Sequence, residues 1–292
     1  MSALARYFNT QGVLVSGYDK TPTALTDSLI KEGISIHFED DLNQMDKAAT
    51  VIVYTPAIPA EHSEYNYYKD NGYLVVKRSD VLQWVTENAF TIGIAGTHGK
   101  TTTTSMTAHI LRHTGYGCNA FLGGIASNYD TNFWSHEKNV VVVEADEYDR
   151  SFLKLSPDIA IITAMDPDHL DIYGTADAFK KAFLEFSNKV KSGGTLIVKH
   201  ELTLHSDFKA AKLITYSLSN ASADAYAKNI RIESGTYCFD VCMGDELLSD
   251  LKLNMGGLHN IENAVAAIVA VRQLGIDDEL IREALAAFKG VK

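Results

Sequence analysis

Gly93-Ile94-Ala95-Gly96-Thr97-His98-Gly99-Lys100-Thr101-Thr102-Thr103-Thr104 is the stretch that decides the fold. Residues 91–95 read as a strand, and a helix is expected from about residue 100 to 113. A glycine-rich turn between strand and helix builds a phosphate-binding loop. Glycine lets the backbone turn tightly and aim its amides inward. The helix N-terminus adds unsatisfied N–H groups and partial positive charge. Lys100 is long enough to reach β- and γ-phosphates, and the Thr101 hydroxyl can ligate Mg²⁺. Gly96, Thr97, His98, Gly99, Lys100, Thr101 and Thr102 are therefore the candidate nucleotide contacts. The common spacing G-x-x-x-x-G-K-[ST] is not met, because Ile94 holds the first glycine position; the match is G-T-x-G-K-T-T. Kinases, GTPases, motors and ligases all use such loops, so the loop alone leaves the reaction open.

Outward from the loop, short apolar strands alternate with helical stretches, which predicts an α/β fold with a mainly parallel sheet. Residues 140–143 and 159–162 are continuous apolar runs, as in strands buried on both faces. Further strands are expected at 195–198 and 213–216, with helices at 177–190, 260–274 and 278–288. Residues 225–254 alternate with turn signals and read as a small β-meander. Before the loop, helices are expected at 3–9, 23–32 and 62–71, and strands at 13–16, 34–38, 51–54 and 74–76. We expect a Rossmann-like unit over residues 1–88 and a P-loop ATPase-type unit over 89–292. A Rossmann-like unit should open on a strand and a Gly-rich turn, yet this sequence opens on a helix. Asp19, just past a strand end, sits where such folds often place an acid against a ribose.

Two acidic clusters follow the central strands. Glu144-Ala145-Asp146-Glu147-Tyr148-Asp149 ends the 140–143 run, and Asp166-Pro167-Asp168-His169-Leu170-Asp171 follows the 159–162 run. Ligands in open α/β sheets bind at the carboxyl ends of strands. Glu144 there can hold Mg²⁺, a hard cation that prefers oxygen; His169 is a second candidate ligand or an acyl contact. A solvated acidic turn and a structural histidine are the plainer readings of each cluster alone. Near the end, Gly257-Leu258-His259-Asn260-Ile261-Glu262-Asn263-Ala264 opens a helix. His259 and Asn263 are four apart and share a face, and an Asn amide suits an adenine edge. Capping by Asn260 is the alternative.

Composition narrows the class. The 292 residues carry 37 acidic and 26 basic side chains, a net charge of -11. No Lys/Arg run appears, which argues against a nucleic-acid or anionic-membrane partner. No apolar run approaches the roughly 20 residues needed to span a bilayer, and no signal peptide is seen at the start. The three cysteines, Cys118, Cys238 and Cys242, fit a reducing compartment. Cys238 and Cys242 have no nearby His and read as packing residues rather than zinc ligands.

The loop, then Glu144-Ala145-Asp146-Glu147, then Asp168-His169, then His259-Asn260-x-x-Asn263-Ala264 occur in this order in the Mur ligases, and the chain resembles that family along its whole length. Folylpolyglutamate synthases are more distantly similar. Within the family, His98, Asp149-Arg150-Ser151-Phe152 and Asp168-His169-Leu170-Asp171-x-Tyr173 resemble the branch that joins L-alanine to UDP-N-acetylmuramate. Ser16-Gly17-Tyr18-Asp19 and Tyr54-Thr55-Pro56-Ala57-Ile58 resemble that branch's nucleotide-sugar unit.

The resemblance implies a cytoplasmic, ATP- and Mg²⁺-dependent ligase of peptidoglycan synthesis, acting on UDP-N-acetylmuramate and L-alanine through an acyl phosphate. It implies that Lys100 stabilises the transferring phosphoryl group, that Thr101, Glu144 and His169 hold the metal, and that Asn263 meets adenine. His259 and Asn260 follow as nucleotide contacts. Asp19, Thr55 and Ala57 fall to the sugar nucleotide, and Gly123 and Gly124 to a turn near it. Members of the family also carry a Gly-rich loop before the point where this sequence opens and a third, amino-acid-binding domain after it ends. This stretch alone is thus expected to be a poor or inactive ligase. Many relatives have Asn where this sequence has Ala164. The recycling ligase that attaches a tripeptide to the same sugar nucleotide is the nearest alternative; a P-loop binding module without ligase chemistry is the next. No Gly-x-Gly-x-x-Gly supports a Rossmann oxidoreductase.

Overall fold

The computed structural model of the chain describes residues 1–148, 150–167, 170–203 and 208–292. Helix α1 (Ser2–Thr10) comes first, followed by β1 (Ser16–Tyr18), α2 (Ala24–Lys31), β2 (Ser35–His37), β3 (Val51–Tyr54), α3 (Ser63–Asp70), β4 (Leu74–Lys77) and α4 (Arg78–Glu87). β1 pairs with β2 and β3 with β4, both parallel, as two separate two-stranded sheets. The strand expected at 13–16 lies instead at Ser16–Tyr18. Val13 N donates to Phe8 O and closes the end of α1, so the apolar run Val13-Leu14-Val15 forms the exit turn and leaves Leu14 88% exposed.

The rest builds one ten-stranded sheet. Its first elements are β5 (Phe90–Ala95), α5 (Lys100–His113), β6 (Asn119–Ala126), β7 (Thr131–Trp134), β8 (Val140–Ala145) and β9 (Ile159–Ile162). Next come α6 (Leu170–Tyr173), α7 (Ala176–Ser187), β10 (Thr195–Lys199), α8 (His200–Thr203) and β11 (Lys212–Ser217). A meander of β12 (Ala225–Glu233), β13 (Thr236–Met243) and β14 (Glu246–Leu253) leads to α9 (Leu258–Arg272) and α10 (Asp278–Ala287). The strand order is β14-β13-β12-β11-β10-β9-β5-β8-β6-β7. From β12 to β6 the strands run parallel to one another, and β13, β14 and β7 are added antiparallel at the two edges. β5 lies between two later strands, β8 and β9. This is the point where the winding reverses, and its carboxyl end opens a crevice for ligands.

The central strands are mostly apolar because both faces are covered, with Thr91 in β5 and Glu144 at the carboxyl end of β8 as the polar positions. Ile92, Ile94, Val142 and Ile161 point to one core, beneath α5, α9 and α10. Ala95, Val143, Ala160 and Ile162 point to the other, beneath α4 and α7 and against Ala3 and Leu4 of α1. The period-two alternation of a strand thus divides one hydrophobic run between two cores. Among the described residues no helix is long and apolar enough to cross a membrane.

Candidate functional site

The site forms where β5, β8 and β9 end together. Gly96 and Gly99 adopt φ of +142° and +82°, conformations that side chains rarely enter. Space is closed as well: a Cβ on Gly96 would overlap Thr163 Oγ1, and one on Gly99 would lie 2.6 Å from Asn263 Oδ1. Gly99 caps α5, so the fourteen-residue helix aims its free amides into the loop.

The loop is tied to the end of β9. Thr97 N donates to Ala164 O at 3.2 Å, and Asp166 N donates to Thr97 Oγ1 at 3.2 Å. The single Thr163 hydroxyl proton is shared between the carbonyls of Ala95 (3.1 Å) and His98 (2.5 Å). Thr163 was not legible as a site residue; its position at the end of the strand beside β5 was the one signal for it. Ala164 contributes a carbonyl, which any residue at that position supplies. His98 is 75% exposed and 4.0 Å from Asp166 Oδ2, a pair open to solvent.

Lys100 folds back into the loop. Its ammonium donates to Gly96 O at 2.6 Å and to Glu147 Oε1 at 2.8 Å. Thr101 Oγ1 donates to Glu144 Oε1 at 3.1 Å, and Gly123 N donates to Glu144 Oε2 at 3.1 Å. Burial pushes the Glu144 carboxyl above its ordinary range, against the pull of the Thr101 hydroxyl and Lys100. Thr101 and Glu144 thus place two oxygen atoms side by side at a helix N-terminus. Mg²⁺ keeps several waters and needs only one or two protein ligands, so this pair fits it. Among the described residues no group of three or more His, Cys, Asp or Glu side chains forms a ready-made cation cage. His169 and Asp149 lie outside the described residues, as does Asp168.

Gly123 and Gly124 require a correction. They lie inside strand β6, not in a turn. A Cβ on Gly123 would overlap the Glu144 carboxylate, and one on Gly124 would approach Val291 at 2.6 Å and Thr101 Cγ2 at 3.2 Å. The double glycine is therefore the thin part of a strand where the Thr101–Glu144 pair packs. Strand interiors place glycine at such close approaches.

At the start of α9, Asn260 and Asn263 are buried while His259 is exposed. Asn260 Nδ2 donates to Gly256 O at 2.7 Å, and Asn263 Nδ2 donates to Asn260 Oδ1 at 3.4 Å. Asn263 lies against the loop at Gly99, Asn260 stands behind it, and the His259 ring folds over Gly257. Asp19 and the Thr55–Ala57 stretch follow the carboxyl ends of β1 and β3. Asp19 accepts from Thr21 N at 3.1 Å, and Thr55 O accepts from Ile58 N at 3.1 Å in a tight turn. Thr102 lies in the first turn of α5, half-buried.

Comparison with known proteins converges on one family. The Mur ligase middle domain matches residues 94–271, and the Mur ligase family catalytic domain matches residues 1–89. A UDP-N-acetylmuramate--L-alanine ligase of Flavobacterium psychrophilum is 49% identical over 296 residues, which is 100% of this chain and 64% of that protein. The chain spans about two thirds of the length of the curated relatives it matches. Among solved structures, a UDP-N-acetylmuramate-alanine ligase of Thermotoga maritima superposes with a TM-score of 0.85 at 28% identity, over 100% of this chain and 66% of that one. A UDP-N-acetylmuramate:L-alanyl-gamma-D-glutamyl-meso-diaminopimelate ligase of Neisseria meningitides gives 0.87 at 26% identity, over 100% of this chain and 95% of that one. Phosphate loop, switch-point acids and family matches over both parts of the sequence agree: the chain belongs to the Mur ligase family.

Proposed function

We propose that the chain is the nucleotide-binding part of an ATP- and Mg²⁺-dependent ligase that joins L-alanine to UDP-N-acetylmuramate in the cytoplasm. The observation that carries this reading is the joint placement of Lys100, Thr101 and Glu144 at the end of β5, in a chain 49% identical to an enzyme of that name. Residues 89–292 would bind ATP, and residues 1–88 the sugar nucleotide, with Asp19, Thr55 and Ala57 at strand ends suited to it.

A carboxylate is a poor acyl donor, so the lactoyl carboxylate must first gain a leaving group. Its oxygen attacks the γ-phosphorus, the bond to ADP breaks, and an acyl phosphate forms. The amino group of L-alanine then attacks the acyl carbon, phosphate leaves, and the amine loses its proton. The loop amides and the N-terminus of α5 hold the phosphates, and Lys100 meets the charge on the moving phosphoryl group. Thr101 and Glu144 would hold Mg²⁺, which neutralises charge between the phosphates; His169 is proposed as its third ligand. Asn263, with Asn260 and His259, is proposed to border the nucleotide from the start of α9.

The fold match to the Neisseria tripeptide ligase favours one second reading, tripeptide attachment in recycling. Phosphate release separates the two. The full product of the gene encoding this chain is given Mg-ATP and UDP-N-acetylmuramate, with either L-alanine or the tripeptide. Release with L-alanine that is lost in Lys100→Ala supports the first reading. Release with tripeptide alone moves the assignment to recycling, and no release with either removes both.

A further inference from the structure

Glu147 is a buried acid that the chemistry above leaves without a task. It is 2% exposed. Its Oε1 accepts from Lys100 Nζ at 2.8 Å, and its Oε2 has no hydrogen-bond partner among the described residues. Its backbone is pinned from two sides: Glu147 O accepts from Arg150 N at 3.1 Å and from the Tyr173 hydroxyl at 2.5 Å. Arg150, at φ +60°, closes this turn and lies 4.9 Å over the Tyr173 ring. A carboxylate is held inside the protein at a fixed place, and Lys100 is its one side-chain partner among the described residues.

An ammonium group has three N–H donors and no acceptor. Glu147 takes one, Gly96 O takes the second, and the third has no partner among the described residues. The two fixed bonds set the direction of the third. With Lys100 only 14% exposed, its ammonium cannot swing freely on its four-carbon stem as a surface lysine does. We propose that Glu147 is a positioning residue: with Gly96 O it clamps the Lys100 ammonium so that the remaining N–H points where the β- and γ-phosphates of the nucleotide arrive. The inference rests on the ATP-binding reading given above, and it adds a role for an acid that is not itself a phosphate or metal contact.

A clamp makes a prediction that a merely structural acid does not. Without Glu147, Lys100 serves the β- and γ-phosphates less well, but contacts to the rest of the nucleotide stay. The test uses the chain as it stands, with Mg²⁺ and ATP, ADP or AMP titrated by calorimetry. Variants are Glu147→Ala, Glu147→Gln, Lys100→Ala and the Glu147→Ala/Lys100→Ala double, each checked for a native thermal transition. Glu147→Ala should weaken ATP on the order of tenfold, as for loss of a charge-assisted hydrogen bond, and leave AMP within about twofold. Glu147→Gln, which keeps an acceptor, should lose less. In the double variant, removing Glu147 should add nothing to the loss from Lys100→Ala, because interacting residues are not additive.

Equal weakening of all three nucleotides, full additivity with Lys100→Ala, or tighter ATP binding in Glu147→Ala would each overturn the clamp. If the parent binds no nucleotide, or Lys100→Ala binds it as well as the parent does, the ATP-binding reading itself fails. A second readout needs no nucleotide: acylation of Lys100 by a small activated ester, whose alcohol leaves as the amide forms, followed by peptide mass spectrometry. The clamp predicts acylation several-fold faster in Glu147→Ala and Glu147→Gln than in the parent. Equal rates would overturn it even where nucleotide binding is intact.

Discussion

Two glycines with nearly the same φ separate conformation from contact. Gly99 and Gly115 have φ of +82° and +72°; a Cβ on Gly99 would press on Asn263 Oδ1, while one on Gly115 would meet nothing within 4 Å. Left-handed backbone costs a side chain about 1–2 kcal/mol. Gly115→Ala should show that cost alone, a fall in melting temperature of about 2–8 °C for a chain this size, with nucleotide affinity unchanged. Gly99→Ala should show the same backbone cost and also lose ATP affinity by about tenfold or more, because the buried Asn263 amide must move and carry the loop with it. Adding Asn263→Ala should restore part of the melting temperature. Calorimetric titration and thermal melts check all three, and unchanged ATP affinity in Gly99→Ala would refute the contact argument. At this scale the sequence revealed the residues whose chemistry is local. Lys100 and Thr101 declare themselves by adjacency to Gly99. Thr163 and Glu147 do not, because their partners lie 65 and 47 residues away and meet them only once β5, β8 and β9 are side by side.

Helix α5 carries the loop, and a buried histidine ties it to α10 and to the turn after β6. His109 Nε2 lies 2.8 Å from Ala284 O, and its Nδ1 lies 2.8 Å from the Tyr129 hydroxyl. A carbonyl can only accept, so Nε2 bears the proton, Nδ1 accepts, and Tyr129 donates. The ring is neutral, and burial pushes its pKa down from 6.5 to about 4. The sign follows from linkage. Above pH 6.5 neither folded nor unfolded His109 is charged, and the shift contributes nothing. Below it the unfolded chain takes a proton that the folded one refuses, so stability falls until about pH 4, where both are charged. Between pH 7.5 and pH 5 the parent should lose about 2 kcal/mol from this group. His109→Gln removes the titration, so its stability relative to the parent should improve by that amount over the same interval. Denaturant unfolding at the two pH values measures it, and a parallel decline in both proteins would show that His109 does not titrate in this way. The sequence displayed α5 well, since a glycine turn marks its start and Thr114-Gly115 its end. It concealed α4, β6 and β7. α4 is capped by Asp80, whose Oδ2 accepts from Lys77 N at 2.9 Å, but its Arg78-Ser79-Asp80 opening follows β4 with no intervening turn. β6 was hidden by Gly123-Gly124, which read as a turn until Glu144 is seen to occupy the space that side chains would fill.

At the scale of the whole molecule, the two parts of the chain differ in how they hold themselves together. The ten-stranded sheet has apolar cores on both faces. Strands β1 to β4 form two isolated parallel pairs, and two-stranded sheets are marginal on their own. Their order must come from packing against something larger. Helix α1 supplies much of it: Leu4, 3% exposed, joins Val81, Leu82, Phe121 and Phe133 in one core. Tyr7 meets Phe121 at 5.4 Å and Phe133 at 6.3 Å between ring centroids. The same helix reaches back to its own part of the chain, where Arg6 donates to Glu32 at 2.7 Å and 2.8 Å, while its other nitrogen donates to Asn132 in β7 at 3.1 Å. α1 is thus a bridge with one face on the large sheet and one on α2. Regions with few buried contacts open locally, well below global unfolding. Amides of β1 to β4 should therefore exchange with solvent long before those of β5, β8 and β9. Leu4→Ala should cost about 2–5 kcal/mol at the bridge and speed exchange in β1 to β4 by about tenfold to a thousandfold, while β5, β8 and β9 keep their protection. Native-state hydrogen exchange by mass spectrometry reads both regions in one sample. If protection falls equally in both, the chain unfolds as one cooperative unit, and the bridge belongs to a single core.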